Sequence, residues 1–447
     1  MNAPNKRRLI YLAVLLAIIS LSATLRIENW SDFLIYPDSY RYLLAAKDQL
    51  VVFDKPLFVY LIKLVGLATG NLELSGHLIV ICVSLASIPL LYFALSKYFG
   101  RRIALISCFL FGISFSHIVW SGYIMPDALA VFLYIISLFF LLEYPLICGF
   151  FLLLAVLVRP EYILLFVPAA FFYLLKKKGR RILGLLPGIS LSVLFMVLSK
   201  PDLSTVFILK PGSAEFIYNF LSGDFLIIFL GLLGMFYLYK KEKDWLLYFL
   251  SSLILLVLIY QITSPSNWRY GTHLLVGLSV PAAFFINRLV EGFPQKGIFR
   301  LGMILILVAV VGQIVFSFRG IRSNHPELSY ETVSASKIKT LVQLPDLLIL
   351  SYYNEAYAWH LDKKAISFDE VSCQEEIILI EDQPTRDFSS LELQELKDGY
   401  ELTELGSFWV NQGYFYKNKI YLEKAPVVLY LAKREDGEKT SCNNSGL

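Results

Sequence analysis

The chain has 447 residues, 57% of them hydrophobic and 17% charged, with a formal net charge of +4. Soluble domains carry about a quarter charged residues, so this composition excludes an ordinary soluble protein and describes a polytopic membrane protein. The basic residues sit in short scattered clusters, which argues against a nucleic-acid partner. The five cysteines (Cys82, Cys108, Cys148, Cys373, Cys442) show no CxxC spacing that would mark a zinc or redox site.

The first stretch, "MNAPNKRRLIYLAVLLAIISLSATL", has the basic start and apolar run of a signal peptide. No clean small-x-small cleavage site follows, and it reads as a retained first helix. A span needs about 20 apolar residues, or ~17 among neighbouring helices. Spans are predicted near 9–25, 77–96, 103–119, 125–142, 145–158, 161–175, 182–199, 224–239, 245–262, 272–289 and 298–318, about eleven in all. As one helix, 125–158 would run roughly 50 Å, too long for a bilayer. Glu143-Tyr144-Pro145 interrupts it, so the stretch reads as a hairpin.

Charge supports that division. Lys6-Arg7-Arg8, then Lys97, Arg101 and Arg102, then Lys176-Lys177-Lys178 with Arg180-Arg181 fall in alternate loops. Lys240, Lys241 and Lys243 continue the series, followed by Arg288, Lys296 and Arg300. The intervening short loops hold only Arg159, Lys200, Lys210 and Arg269. The positive-inside rule then predicts a multi-pass protein of the cell membrane with a cytoplasmic N-terminus and an exterior C-terminus.

Between the first two spans, loop 26–76 carries helical patterns. "DSYRYLLAAKDQL" places Tyr42, Leu43, Ala46 and Leu50 at helical spacing, and "KPLFVYLIKLVGLATG" is a second apolar helix closed by Gly70. Both predict interfacial helices along the outer leaflet. Residues 321–447 are richer in charge, with β-like runs "DLLILSYY" (346–353), "EEIILIED" (375–382) and "PVVLYLA" (426–432). The expected organisation is a transmembrane domain over 1–320 and a small exterior α/β domain over 321–447. Cys373 and Cys442 lie in the latter, where an oxidising exterior permits a disulfide without requiring one.

Ionisable residues are nearly absent from the predicted helix centres, which counts against a transporter or proton pump. They gather on the predicted outer side instead. Asp38 and Arg41 follow span one, with Asp54 and Lys55 in the same loop; His117 and Asp127 flank the 119–125 turn. Arg159 and Glu161 mark the next outer turn, Lys200, Asp202 and Lys210 the 200–223 loop, and Trp268-Arg269-Tyr270 precede span ten. Carboxylates and cations on one membrane face suit an anionic headgroup and a polar second substrate.

In order and spacing, "DKPLFVYL" (54–61), "MPDALAVF" (125–132), "VRPEYILLFVP" (158–168) and "WRYGTHLL" (268–275), with an Asp opening the first-loop helix, resemble the GT-C membrane glycosyltransferases. The likeness covers most of 1–320. The nearest subgroups are the protein O-mannosyltransferases and the transferases that add aminoarabinose to lipid A. The resemblance implies a polyprenyl-phosphate-linked sugar donor and an acceptor hydroxyl on a lipid, glycan or protein. Transfer would occur outside the cytoplasm with inversion at the anomeric carbon.

The resemblance also implies roles. Asp38 matches the first-loop acid, the general base, and Asp127 the second-loop acid that organises the acceptor or the base. Lys55, Arg159 and Arg269 match positions near the donor phosphate; beside them Tyr270 is a further phosphate-binding candidate, and Arg41, Tyr42, Glu161 and His117 are candidates to support the acceptor or the site. Asp54 falls at a metal-binding position, but as Asp rather than Glu. Leu57 follows Pro56 where a second Pro is usual, and Ser39 follows Asp38 where a second acid is common. No cofactor is therefore assigned, and a divalent metal stays open.

Each of these residues has a plainer reading. Asp38 after Pro37 would serve as an N-cap, worth ~1 kcal/mol. Asp127 behind Pro126 suits the first turn of a helix, where the dipole favours an acid. Arg159 and Glu161 read equally as an interfacial ion pair, Lys55 as a snorkelling side chain, and Trp268-Arg269-Tyr270 as an aromatic belt. His117 and His273 read as packing residues. A flippase of lipid-linked saccharides and a non-catalytic membrane scaffold are the rival functions.

Overall fold

The computed structural model describes residues 3–28, 37–48, 55–199, 215–263, 272–292, 297–323, 330–341, 347–351, 354–364, 374, 376–381, 393–394, 396, 400–416 and 419–434. The chain forms two compact units: Met1–Trp30 with Val52–Ser323, and Ser31–Val51 with Asn324–Leu447.

The first unit is helical. Its elements are α1 (Ala3–Glu28), α3 (Pro56–Thr69), α4 (Leu72–Phe99), α5 (Arg101–Gly112), α6 (Phe115–Trp120), α7 (Asp127–Phe140) and α8 (Pro145–Val158). A 3-10 turn over Pro160–Leu165 leads into α9 (Phe166–Leu175), followed by α10 (Leu186–Ser199), α11 (Glu215–Thr263), α12 (Leu274–Gly292) and α13 (Gly297–Ser323). Among the described residues, four helices are long and apolar enough to cross a membrane: Leu9–Glu28, Leu72–Phe99, Gly223–Leu258 and Leu274–Gly292. Shorter apolar helices cover 56–69, 127–140, 145–158, 160–175, 186–199 and 301–315. Leucines and valines stay exposed on α1 (Leu9, Leu12, Leu16), α10 (Leu194, Val197, Leu198) and α13 (Leu307, Val308). Outward-facing aliphatic surface of this extent is what a lipid solvent favours.

The 125–158 stretch is divided at Leu141–Tyr144, with Pro145 at the start of α8, where its missing N–H costs nothing. The span expected over 103–119 is not continuous: α5 ends at Gly112 and α6 restarts after Ser114. The cause is Asp224, whose carboxylate accepts the amides of Phe115 (2.9 Å) and Ser116 (3.2 Å) and the Ser116 hydroxyl. Those amides are thereby capped from another helix. Residues 215–263 form one helical run broken at Asp224 and Glu242, both with non-helical backbone. Helix α11 approaches α12 so closely that a Cβ at Gly234 would overlap the Pro281 carbonyl oxygen. Only glycine fits there.

The second unit contains α2 (Pro37–Ala46), α14 (Tyr330–Leu341), α15 (Asn354–Leu361) and a four-stranded sheet. Strands β1 (Ile349–Leu350), β2 (Glu376–Glu381), β3 (Tyr400–Tyr416) and β4 (Lys419–Arg434) lie in the order β1-β2-β4-β3. β1 and β2 are parallel; the other pairs are antiparallel. In β2, Ile378 and Ile380 enter one apolar cluster with Ile338, Tyr357 and Leu429, while Ile377 and Leu379 enter another with Leu393, Leu396 and Ala432. The period of two puts alternate side chains on opposite faces, and both faces are covered. Cys373 and Cys442 lie outside the described residues. Cys108 and Cys148 are buried in the first unit as small apolar residues, whereas Cys82 is exposed.

Helix α2 corrects the expectation of a leaflet-bound interfacial helix. Ser39, Tyr40 and Tyr42–Ala46 are buried, and the helix packs within the second unit. Tyr40 Oη lies 3.0 Å from His360 Nε2 on α15, with the rings edge-to-face at 5.2 Å. Lys47, just past α2, pairs with Asp362 and lies over the Trp359 ring.

Candidate functional site

Helices α7 and α8 have 14 residues each, joined by a short turn. At 1.5 Å per residue both run about 21 Å, so the end of α8 returns to the level at which α7 began. Asp127 opens α7 behind Pro126, and Arg159 closes α8 in an extended conformation before Pro160. Arg159 Nη2 lies 2.8 Å from Asp127 Oδ1, and Arg159 Nε lies 3.2 Å from Glu161 Oε1. The Asp127 and Arg159 side chains are 1% and 4% exposed, and that of Glu161 is 16% exposed. One guanidinium thus holds two carboxylates.

Around this trio the walls are aromatic and polar. The buried Tyr162 ring packs edge-to-face on His273 at 5.2 Å and faces Tyr134 at 6.5 Å. The Tyr162 hydroxyl is buried and has no hydrogen-bond partner among the described residues. The Asp127 carboxylate contacts Arg159 as an ion pair without an aligned hydrogen bond. The carboxylate can still accept, and the phenol can donate or accept, so both keep unused hydrogen-bonding capacity beside the guanidinium.

A second buried polar group lies in the same unit. Arg26, wholly buried near the end of α1, donates from Nε to Ser84 Oγ (2.7 Å) and from Nη1 to the carbonyls of Ser22 (3.0 Å) and Gly112 (3.2 Å). Its Nη2 lies 2.7 Å from His117 Nδ1, and His117 Nε2 is 3.3 Å from Ser84 Oγ. Arginine can only donate, so Nδ1 accepts and the imidazole is neutral with its proton on Nε2. His117 also stacks on Phe111, with centroids 4.2 Å apart. Helix α6 is held at its start by Asp224 and on its face by Arg26, and the chain leaving it leads directly to Asp127.

The sequence-derived candidates therefore divide. Asp127, Arg159 and Glu161 meet, while His117 is engaged with Arg26 instead. Lys55 occupies the N-cap position of α3, half-buried, with Pro56 behind it. Asp38, Arg41 and Tyr42 belong to α2 in the second unit: Pro37 takes the first helical position and Asp38 the first turn rather than the cap. Asp38 is half-buried, Arg41 exposed and Tyr42 buried. Asp54, Arg269 and Tyr270 lie outside the described residues. Among the described residues no group of three or more His, Cys, Asp or Glu side chains could hold a metal ion.

Arg26 and Asp224 escaped the sequence reading. Arg26 looks like a charge just past the end of one predicted span, and Asp224 like the residue that opens another. The available signal was the company they keep: Ser22 one turn before Arg26, and Gly223 before Asp224 in an otherwise apolar run.

Comparison with known proteins bears on this site. The family model for dolichyl-phosphate-mannose-protein mannosyltransferase matches residues 54–204, the segment that contains Lys55, Asp127, Arg159 and Glu161. ArnT from Cupriavidus metallidurans bound to undecaprenyl phosphate superposes with a TM-score of 0.61 at 12% identity, covering 95% of this chain and 98% of that one. The fold is the GT-C fold of membrane glycosyltransferases. AglB, the archaeal oligosaccharyltransferase from Archaeoglobus fulgidus in complex with an inhibitory peptide and a dolichol-phosphate, matches this GT-C chain with a TM-score of 0.61 at 13% identity. That match covers 81% of this chain and 64% of AglB. No curated protein matches by sequence.

Proposed function

We propose that the protein is a GT-C-type glycosyltransferase of the cell membrane that moves a sugar from a polyprenyl-phosphate carrier to an acceptor hydroxyl on the exterior side. The observation that carries this reading is the buried Asp127–Arg159–Glu161 trio, within the segment matched by a lipid-phosphate-sugar transferase family. The undecaprenyl phosphate and dolichol-phosphate held by the two structural neighbours support a lipid-phosphate donor.

In the proposed reaction Asp38 takes the acceptor's proton, and the acceptor oxygen attacks the anomeric carbon. The bond from that carbon to the phosphate oxygen breaks with inversion, and the lipid phosphate leaves with the bonding electrons. Lys55, Arg159, Arg269 and Tyr270 bear on the departing phosphate; Arg41, Tyr42, Glu161 and His117 are supporting residues. His117 acts through Arg26 and the placement of α6. A base contributes typically 10²–10⁴-fold, and fixed cations stabilise the charge that develops on the phosphate. The N-terminus is assigned to the cytoplasm and the C-terminal unit to the exterior.

A flippase would string its charges along a path. Arg26 and Asp224, buried charges at the ends of predicted spans, are instead spent on docking α6, which supports the enzyme reading. The experiment is transfer in proteoliposomes with a panel of polyprenyl-phosphate sugars, following release of the lipid phosphate. Turnover of at least one donor supports the enzyme. Saccharide translocation without cleavage of any donor would favour the flippase.

A further inference from the structure

The other end of α7 carries a separate feature. Tyr98 Oη (2.9 Å) and Lys97 Nζ (3.5 Å) reach the Phe139 carbonyl, about 18 Å along the helix axis from Asp127. Beside them a cavity of about 490 Å³ opens between α1 and the junction of α4 with α5. Ser96, Lys97 and Arg101 form its polar part, next to Phe93 on the same face of α4, and Leu12 and Leu15 line it from α1.

Its chemistry is specific. Arg101 is exposed and has no ion-pair or hydrogen-bond partner among the described residues. The Ser96 hydroxyl oxygen is buried and equally without a partner there. Lys97 pairs with Glu143 at 2.8 Å, so the acid at this corner is already matched. The turn at Gly100 also presents the start of α5, whose first-turn amides have no intrahelical acceptor. The cavity therefore keeps an unmatched positive charge and unused donors on one side. The opposite wall is apolar and continuous with exposed Leu9, Leu12 and Leu16 on α1. A free inorganic anion would leave that wall unused, and a neutral hydrocarbon would leave Arg101 unpaired.

We propose that this cavity binds one anionic phospholipid. Arg101, with Lys97 beside it, holds the phosphate diester, and the first carbons of an acyl chain lie against Leu12, Leu15 and Phe93. The site is independent of the transfer reaction, and it places the cation-rich end of the bundle in an anionic leaflet.

The test is native mass spectrometry of the full chain released from nanodiscs of equimolar phosphatidylglycerol and phosphatidylcholine. The wild type retains one phosphatidylglycerol in preference to phosphatidylcholine. Arg101→Gln lowers that preference about fivefold, the weight of one cation toward an anionic leaflet. Arg102→Gln, an exposed neighbour that does not line the cavity, leaves it unchanged. Leu15→Trp, which fills the apolar side, lowers retention with all charges kept. Equal effects of Arg101→Gln and Arg102→Gln, or no preference in the wild type, would overturn the proposal. So would displacement of the lipid by millimolar inorganic phosphate, since the apolar wall would then contribute nothing.

Discussion

Arg159 Nη2 sits 2.8 Å from Asp127 Oδ1 with both side chains almost wholly buried, although 31 intervening residues separate them in the chain. Removing one member of such a pair strands the other charge in a low-dielectric interior, at a cost of about 3–5 kcal/mol. Arg159→Met should lose stability on this scale in thermal unfolding of the detergent-solubilised chain. The double variant Asp127→Asn with Arg159→Met should recover part of it, since Glu161 still lacks its partner, while remaining inactive. An undiminished melting temperature for Arg159→Met would show that the pair is not buried in the membrane-embedded protein.

Asp224 provides a different kind of prediction, because its carboxylate serves two backbone amides of α6. Asp224→Ala leaves both without acceptors, costing about 1–3 kcal/mol each. Hydrogen exchange should quicken in peptides covering 113–120 and remain slow in those covering α8. Unchanged exchange at Phe115 and Ser116 would remove Asp224 from its assigned role.

His360 links the second unit to pH. Burial, and secondarily Lys339, lowers its pKa to about 4, below the ordinary value of about 6.5. The folded state therefore favours the neutral ring. Its contribution is complete above pH ~6.5 and is lost progressively as pH falls from there toward 4. Limited proteolysis of the full chain should show residues 354–434 becoming more susceptible across that window. His360→Gln should flatten the dependence. Tyr40→Phe should keep it and raise susceptibility modestly at all pH values, through loss of the 3.0 Å contact.

Two glycines should respond oppositely to the same substitution. Gly234→Ala forces a Cβ against the Pro281 carbonyl and should cost about 1–3 kcal/mol, the usual scale of overpacking. Gly312 on α13 has open space around it, so Gly312→Ala should be neutral or stabilising by up to about 1 kcal/mol. Thermal unfolding of both variants in one detergent reads the contrast.

What the sequence disclosed follows from the range of the forces involved. The break before α8 was legible because Pro145 and the alternation of Lys/Arg clusters act locally. Asp127, Arg159 and Glu161 stood out because charge inside apolar turns is rare, though nothing local joined Asp127 to Arg159; equal helix lengths did that. The docking of α2 in the second unit was not legible, because Tyr40 meets His360 across 320 residues. An apolar helix after a first span looks the same whether a leaflet or a protein covers it. Strand β3 was also missed. Its run "YELTELGSFWVNQGYFY" mixes charge with Gly and Asn, and its pairing with β4, bulged at Glu404–Gly406, supplies what composition withholds. Nothing local singles out Arg26, since its partners Ser84, Gly112 and His117 come from three other segments.

The assignment of Asp38 as general base is tested most directly by transfer in proteoliposomes with an accepted polyprenyl-phosphate sugar, comparing wild type and Asp38→Asn. The substitution keeps the size of the side chain in the first turn of α2 and removes its charge together with its capacity to take a proton. The predicted result is a rate lowered by roughly 10²–10⁴ with donor binding and melting temperature preserved. A rate for Asp38→Asn close to wild type would contradict it.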